Sequence, residues 1–279
     1  MTALSLETMR SRVATLPAMP SVAMELMLAF SDEELEIETL ARKLSWDQAL
    51  VARVLRVANS PFYGLRRQIC TVQEAIVVLG LSSVRMLVTA AAIIGQFPMR
   101  ARRDHDLHAF WRHSIGVACC AKLLCAGVRQ NPDTAFVCGL LHDIGRLVLV
   151  HYYPEQYAQV EDYCIREDVS RLDAERAVLG LDHAAIGAAL VAHWNFPAQI
   201  QQVVAGHHLT EAAAPSVLTS LTHVADVICH ALEIGAEPVG GVPLLSETAW
   251  AAAQIEWSEL TSRFAQIEAQ IESASLLID

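Results

Sequence analysis

The sequence is poor in charge, and especially in positive charge. Charged residues make up 18% of its 279 residues, and 31 acidic side chains outnumber 20 basic ones, so the net charge is −11. A broad nucleic-acid surface needs a local excess of Lys and Arg, and this composition argues against one. The single basic cluster, Arg100–Arg103, is followed at once by Asp104 and Asp106, so a solvated loop explains it.

Other common patterns are also missing. The seven cysteines contain no CxxC pair, which argues against a thiolate zinc site or a disulfide framework and favours free buried thiols. The longest apolar runs, such as 86–94, are too short to span a bilayer, and the N-terminus lacks a signal-peptide pattern. No alternating strand pattern or internal repeat is visible. We therefore expect a cytoplasmic protein without a membrane segment.

Helical patterns fill the chain instead. Hydrophobic residues make up 53% of the sequence, mostly Ala, Leu and Val, which suits closely packed helices. Apolar residues recur at helical spacing along nearly the whole chain. The segments predicted as helices are 22–30, 35–44, 47–58, 75–79, 82–97, 107–126, 131–150, 153–166, 172–179, 184–194, 198–206, 216–233, 247–256 and 260–273.

Capping residues and breakers divide these helices into groups. Thr71 with Glu74 forms a capping box, and Ser82 is the predicted cap of the next helix. The polar stretch 98–105 and the Gly- and Pro-rich stretch 235–243 indicate linkers. We therefore predict an all-α fold made of an N-terminal helical subdomain (1–100), a helical bundle (101–235) and a linker with C-terminal helices (236–279).

Histidines and aspartates lie in apolar stretches of five predicted helices. Such stretches should face the interior, where a charge is costly unless it is paired. Neutral imidazoles and carboxylates bind transition metals, and a helical bundle can bring them together from different helices. Two adjacent metals would activate a water molecule for phosphoester hydrolysis. The candidate ligands are His113, His142, Asp143, His183, His207, His208 and Asp226.

These residues and their surroundings resemble a known family. The order His…His-Asp…His…His-His…Asp is similar to that of the HD phosphohydrolase superfamily. The segments "RVLRVANSPFYG" (53–64), "GLLHDIGRLVL" (139–149) and "GLDHAAIGAALVAHWNFP" (180–197) resemble its HDOD subgroup, the HD-related output domains of bacterial signalling. The resemblance covers most of the chain and fades beyond about residue 235.

The resemblance implies an HD-like helical bundle in which the seven candidates hold one or two divalent ions of iron, manganese, zinc or nickel. It also implies a bacterial signal-transduction module without demonstrated catalysis, which binds a partner protein and is a monomer or homodimer. A nucleotide or cyclic dinucleotide is a second candidate ligand. The alternative is a metal-dependent phosphohydrolase or phosphodiesterase acting on a nucleotide or cyclic nucleotide, in which Asp143 bridges the metals and Arg146 holds phosphate.

Three departures from related sequences bear on catalysis. Residues 209–214 replace the Gly-Tyr-Pro signature of a related cyclic-di-GMP phosphodiesterase family, which argues against that substrate. The same family has a lysine where this chain has Arg146, and the two side chains differ in geometry and pKa range. Ala109 replaces a glutamate that some relatives carry, so we expect no third metal.

Most candidates also have a structural interpretation. His142 and Asp143 can form a hydrogen-bonded pair that stabilises helix packing, and His113 and His183 can be ordinary core histidines. The His207-His208 pair can mark a helix C-terminus, which favours histidine, with one of the two rings pointing outward.

The surroundings of Asp226 leave another choice open. His223 and His230 lie one turn before and after Asp226 on the same helix face. This spacing allows a local metal clip, support of the ligands by hydrogen bonds, or exposure of the histidines at the surface.

Overall fold

The structure is a computed structural model that describes residues 6–16, 18–19, 21, 24–25, 44, 47–60, 63, 65, 67–97, 104–208, 215–235 and 241–278. Across these ranges the chain is helical and contains no β-strand, which confirms the predicted all-α class. The predicted helices 22–30 and 35–44, and most of both predicted linkers, lie outside the described residues.

Most helix boundaries agree with the predicted ones to within three residues. The α-helices are α1 (Leu6–Val13), α2 (Gln48–Ala58), α3 (Val72–Leu79), α4 (Leu81–Gly95), α5 (Asp104–Leu124), α6 (Pro132–Leu141), α7 (Ile144–Tyr152), α8 (Pro154–Glu167), α9 (Arg171–Leu179), α10 (His183–His193), α11 (Ala198–Gly206), α12 (Val217–Ala231), α13 (Glu247–Ala253) and α14 (Trp257–Ser275).

One of the two predicted helix caps is present in the structure, and the other is not. The Thr71 hydroxyl accepts a hydrogen bond from the Glu74 nitrogen at 3.1 Å, and Glu74 reaches back to the Cys70 nitrogen at 2.9 Å. The first of these bonds confirms the cap at Thr71. The cap at Ser82 was wrong, because α4 begins one residue earlier, directly after Gly80, without a side-chain cap.

The chain divides into two compact units. The first contains the described residues within 1–18 and 103–256, and the second contains those within 19–102 and 257–279. The predicted domains were continuous segments, whereas each of these units combines two separate stretches of the chain. In the first unit α1 packs on α10, and α13 packs on α12. Helices α1 and α13 therefore belong to this unit because of their packing, although they lie outside the predicted bundle 101–235.

Within the first unit, glycines allow helices to approach closely. A Cβ atom at Gly139 of α6 would lie 2.6 Å from the Cα atom of Ala118 in α5, so a larger residue there would separate the two helices. Helix α12 packs on α5, α6 and α11, while α10 packs on α7 and α11. Helices α5, α10 and α12 carry His113, His183 and Asp226, and the other four candidate ligands lie in the turns that follow α6 and α11.

One stretch of the described residues, Pro132–Tyr152, is long and apolar enough by composition to cross a membrane, with a mean hydropathy of 1.3. It comprises α6 and α7, and 89% of its apolar window is buried inside the protein, which is the position of a core segment. The sequence-based expectation considered nearly uninterrupted apolar runs and therefore missed this longer stretch.

In the second unit α2, α3 and α4 pack against one another. Residues 87–94 of α4 are buried, as expected for a core helix. Asn59 ends α2, and its amide exchanges hydrogen bonds with the backbone of Ile69 at 2.7 and 2.8 Å. The apolar stripe of α14 is buried at Leu260, Ile267 and Ile271, as expected for packing within the chain.

Candidate metal centre

The predicted helix 131–150 is interrupted at His142 and Asp143, which form a turn between α6 and α7. The prediction of one continuous helix was therefore wrong. Adjacent side chains on a regular helix point about 100° apart, whereas both of these side chains are buried, with exposures of 0% and 5%. The turn allows both to face the interior.

Gly145, in the first turn of α7, brings α7 against the start of α10. A Cβ atom at Gly145 would collide with the carbonyl oxygen of His183 and would lie 2.6 Å from the nitrogen of Gly187. This close backbone contact places the His183 ring beside Asp143, with 3.0 Å between Nε2 and Oδ1.

Ring nitrogens from three helical regions converge on Asp226. Its Oδ1 atom lies 3.0 Å from Nε2 of His113, 3.4 Å from Nε2 of His230 and 3.6 Å from Nε2 of His142. We call these four residues the Asp226 group.

Asp143 is a second point of convergence. Its Oδ1 atom lies 3.0 Å from Nε2 of His183 and 3.3 Å from Nε2 of His207. Nε2 of His208 lies 2.7 Å from Nε2 of His183, and the ligand atoms of these four residues all lie within 4.8 Å of one another. We call them the Asp143 group. His208 belongs to this cluster, so neither ring of the His207-His208 pair points away from it.

His142 connects the two groups. Its Nε2 atom lies 3.6 Å from Oδ1 of Asp226 and 3.7 Å from Oδ1 of Asp143. All seven predicted ligands are therefore brought together in one buried region, and each aspartate has its own set of ring nitrogens.

In three of the buried histidines Nδ1, the ring nitrogen that points away from the aspartates, contacts a backbone carbonyl oxygen. A carbonyl oxygen can only accept a hydrogen bond, so in neutral rings of His142 and His207 the proton lies on Nδ1, and Nε2 presents a lone pair to the centre. Nε2 of His113 instead makes a hydrogen bond with the carboxylate oxygen Oδ1 of Asp226 at 3.0 Å. The carbonyl contacts join Nδ1 of His113 to Ile234 (3.2 Å), of His142 to Gly139 (2.7 Å) and of His207 to Val204 (3.0 Å).

A ring-nitrogen lone pair and a carboxylate oxygen that face each other repel unless a cation lies between them. Nε2 of His142, Nε2 of His207 and Oδ1 of Asp143 are buried, and none of them makes a hydrogen bond of normal geometry with the described part of the chain. Ligands about 2.1 Å from a tetrahedral ion lie roughly 3.4 Å apart. Nε2 of His142, His207 and His230 lies 3.3 to 3.7 Å from the aspartate oxygens, close to that separation, whereas the 2.7 and 3.0 Å contacts of His183 and His113 are hydrogen-bond distances. The buried cluster could therefore hold a divalent metal.

Protons can also compensate the buried carboxylates. Burial alone would lower the pKa of His183, but the charges of Glu175 and Asp143 outweigh it and raise that pKa to about 10. Burial likewise disfavours the carboxylate of Asp143, but the charges of His142, His183 and Arg146 hold its pKa well below the usual range. A metal ion would compete with the protons of these rings.

Arg146 is buried beside Asp143. Its guanidinium donates to Oδ2 of Asp143 at 2.9 Å and lies 5.6 Å from the ring centre of Phe110. Only Oδ1 of Asp143 therefore faces the cluster. The predicted contact of Arg146 with phosphate would have to use guanidinium N–H groups other than the one that bonds to Asp143.

One supporting residue, Glu175, was not predicted from the sequence, and a second, His223, has the hydrogen-bonding role that was one of its interpretations. Glu175 of α9 is fully buried, and its Oε2 atom accepts a hydrogen bond from Nδ1 of His183 at 2.6 Å. Its position one turn before the buried Leu179 was the available signal. His223 donates from Nδ1 to the carbonyl oxygen of His207 and accepts from the nitrogen of Ser246, so it supports the His207 backbone and does not face the metal centre.

Comparison with known proteins identifies the family. Residues 16–210, more than half of the chain, match the HDOD domain. The chain belongs to the HDOD domain family. The HDOD match includes all predicted ligands except Asp226, which lies beyond its end together with His230.

Solved structures share this fold. An HDOD domain protein of unknown function from Geobacter sulfurreducens is 26% identical, with a TM-score of 0.79 over 97% of this chain and 99% of that one. A proposed phosphohydrolase from Shewanella amazonensis SB2B is 27% identical, with a TM-score of 0.78 over 97% and 98%.

A sequence relative comes from Treponema pallidum (strain Nichols). This uncharacterized protein is 24% identical over 199 residues, which are 71% of this chain. The HDOD chain spans 38% of the length of that relative.

Proposed function

We propose that this HDOD protein is a regulatory module of bacterial signal transduction whose buried centre holds a divalent metal. The observation that carries the metal is the convergence of ring nitrogens on Oδ1 of Asp143 and Oδ1 of Asp226. Two of these nitrogens, Nε2 of His142 and Nε2 of His207, make no hydrogen bond of normal geometry with the described part of the chain. An imidazole-rich site with two carboxylates suits iron, manganese, zinc or nickel. Two points of convergence have room for one or two ions.

The burial of the centre favours regulation over catalysis. Hydrolysis by two metals needs open coordination positions and a ligand that bridges the ions. His113, His142, His183 and His207 are at most 3% exposed. Oδ2 of Asp143, the second oxygen that a bridging carboxylate would use, is engaged by Arg146. On this proposal the module acts in the cytoplasm by binding a partner protein, as a monomer or homodimer, and a nucleotide or cyclic dinucleotide is a second candidate ligand.

A metal-dependent phosphohydrolase acting on a nucleotide or cyclic nucleotide is the second candidate function. The position of His142 between the two aspartates favours it, because two neighbouring metal positions are what such chemistry requires. The likeness to the proposed phosphohydrolase from Shewanella amazonensis SB2B also supports this candidate.

Elemental analysis and a hydrolysis assay test both proposals. Protein purified without a histidine tag or chelator is expected to contain one or two equivalents of metal, which the Asp143→Ala variant loses and the exposed control Asp162→Ala retains. Wild-type protein that neither contains metal nor takes it up would contradict the metal centre. Cleavage of a generic phosphodiester with added Mn²⁺, lost in Asp143→Ala, would favour the phosphohydrolase over the regulatory module.

A further inference from the structure

His230 lies on the solvent side of the Asp226 group. It follows Asp226 by one turn of α12, and its side chain is 31% exposed, compared with 4% for Asp226. The side chains of His113 and His142 in the same group are 3% and 1% exposed. His230 is therefore the member of this group that water can reach.

The position of the ring suits a metal ligand. Nε2 of His230 lies 3.4 Å from Oδ1 of Asp226, which matches the roughly 3.4 Å expected between two ligands of one tetrahedral ion. Its ring centre lies 4.5 Å from that of His113 at an angle of 49°, so the two rings are not stacked face to face.

We propose that His230 is a metal ligand and completes a metal position at Asp226 that is separate from the one at Asp143. His113 and His230 supply two nitrogens and Asp226 supplies one oxygen, and these three ligand atoms all lie within 4.8 Å of one another. Nε2 of His142 lies 3.6 Å from the same oxygen of Asp226. The Asp143 group supplies a second set from its own four residues. This inference rests on the proposed metal centre and assigns its ligands to two positions.

The two positions differ in how their ions reach water. Removal of His230 would open the Asp226 position on its exposed side and leave the four ligands at Asp143 in place. The variant should therefore affect one ion and spare the other.

Titration of the full, untagged chain with Co²⁺ tests the assignment. After chelator treatment and dialysis, wild-type protein is expected to bind two Co²⁺ ions. His230→Ala should weaken the binding of one of them at least ~10-fold, since loss of an outer hydrogen-bond partner alone weakens a metal site by about 10–100-fold. The matched control is His151→Ala, which removes a half-buried histidine of α7 that bonds to the Leu147 carbonyl and should bind both ions as wild type does.

A second variant separates ligation from a purely structural role. His230→Cys places a thiolate ligand at the same position, and Co²⁺ should bind it with a sulfur-to-metal absorption band that wild-type protein and His230→Ala lack. Circular dichroism of each metal-free variant checks that the fold is retained.

Three results would overturn the assignment while leaving a metal centre at Asp143. In the first, folded His230→Ala binds both ions with wild-type affinity. In the second, folded His230→Cys lacks the new absorption band. In the third, wild-type protein binds a single ion, and His230→Ala still binds it. Failure of wild-type protein to bind any Co²⁺ would instead contradict the proposed metal centre itself.

Discussion

Glu175 holds His183 at two points. Its Oε2 atom accepts hydrogen bonds from the backbone nitrogen of His183 at 2.7 Å and from Nδ1 of the ring at 2.6 Å. A carboxylate behind a metal-binding imidazole orients the ring and makes the opposite nitrogen a stronger ligand. Glu175 therefore directs Nε2 of His183 toward Asp143.

Substitution of this carboxylate should weaken metal binding without removing a ligand. Glu175→Gln keeps the size of the side chain but replaces the charged acceptor with a neutral one, so metal affinity should fall about 10–100-fold. Calorimetric titration with Mn²⁺ measures the change. The control is Glu167→Gln, an exposed substitution at the end of α8. An unchanged affinity in folded Glu175→Gln would show that Glu175 does not position the ligand.

The buried ion pair of Arg146 and Asp143 should matter for stability. Arg146→Met leaves Asp143 with one fewer positive neighbour, and loss of one partner of a buried pair costs about 3–5 kcal/mol of unfolding free energy. Arg176→Met is the matched control, because Arg176 is 46% exposed in its pair with Asp182 and should contribute less than about 1 kcal/mol.

Urea unfolding of the chelated proteins tests this comparison. Added metal should reduce the effect of Arg146→Met, since the ion would compensate Asp143 in place of the guanidinium. Equal losses of stability in the two variants would contradict the importance of the buried pair.

Gly145 should tolerate no side chain. In Gly145→Ala the new methyl group meets the backbone of His183 and Gly187, and backbone atoms cannot move aside as a flexible side chain can. We expect the free energy of unfolding to fall by about 3 kcal/mol or more. Metal binding should also weaken, because α7 and α10 would separate at the Asp143 group.

The matched control is Gly206→Ala in α11. A Cβ atom there would lie 3.8 Å from a methyl group of Thr219, which is an ordinary contact, and alanine favours the helix by up to about 1 kcal/mol. Thermal unfolding and Mn²⁺ titration of both variants measure the difference. A Gly145→Ala protein as stable as Gly206→Ala would contradict the close contact.

The pKa of His183 predicts how the stability of chelated protein depends on pH. The folded protein raises this pKa to about 10, whereas an unfolded histidine titrates near 6.5. The folded state thus keeps a proton that the unfolded state loses. The resulting stabilisation is complete below pH ~6.5 and is lost as the pH rises toward 10.

Urea unfolding between about pH 6 and 7.5 measures this effect below the range, centred near pH ~8.5, in which exposed thiols titrate. The free energy of unfolding should fall as the pH rises. It should fall less steeply in Glu175→Gln, because this variant lacks the negative charge that contributes most to raising the pKa of His183. Equal slopes in the two proteins would contradict the assigned cause.

Local sequence signals predicted most of the helices. The Thr71 side chain caps α3, as its spacing from Glu74 predicted. Such signals work because a cap bonds to nitrogens only two or three residues away. The break at His142 and Asp143 escaped prediction because the surrounding apolar residues suit a continuous helix equally well.

The sequence by itself determined the all-α class and seven of the side chains that meet in the cluster. Helical periodicity and caps are local properties, and the resemblance of the His and Asp segments to the HD superfamily implied the candidate ligands. These features are visible without knowing which helices meet.

Only the tertiary structure decided how those ligands divide between Asp143 and Asp226, and that Glu175 and His230 join them. Both decisions depend on helix packing, since Gly145 sets the distance from Asp143 to His183, and α5 and α12 bring His113 to Asp226 across 113 residues of chain. Contacts of that range arise from the shapes of packed surfaces, which no local pattern in the sequence contains.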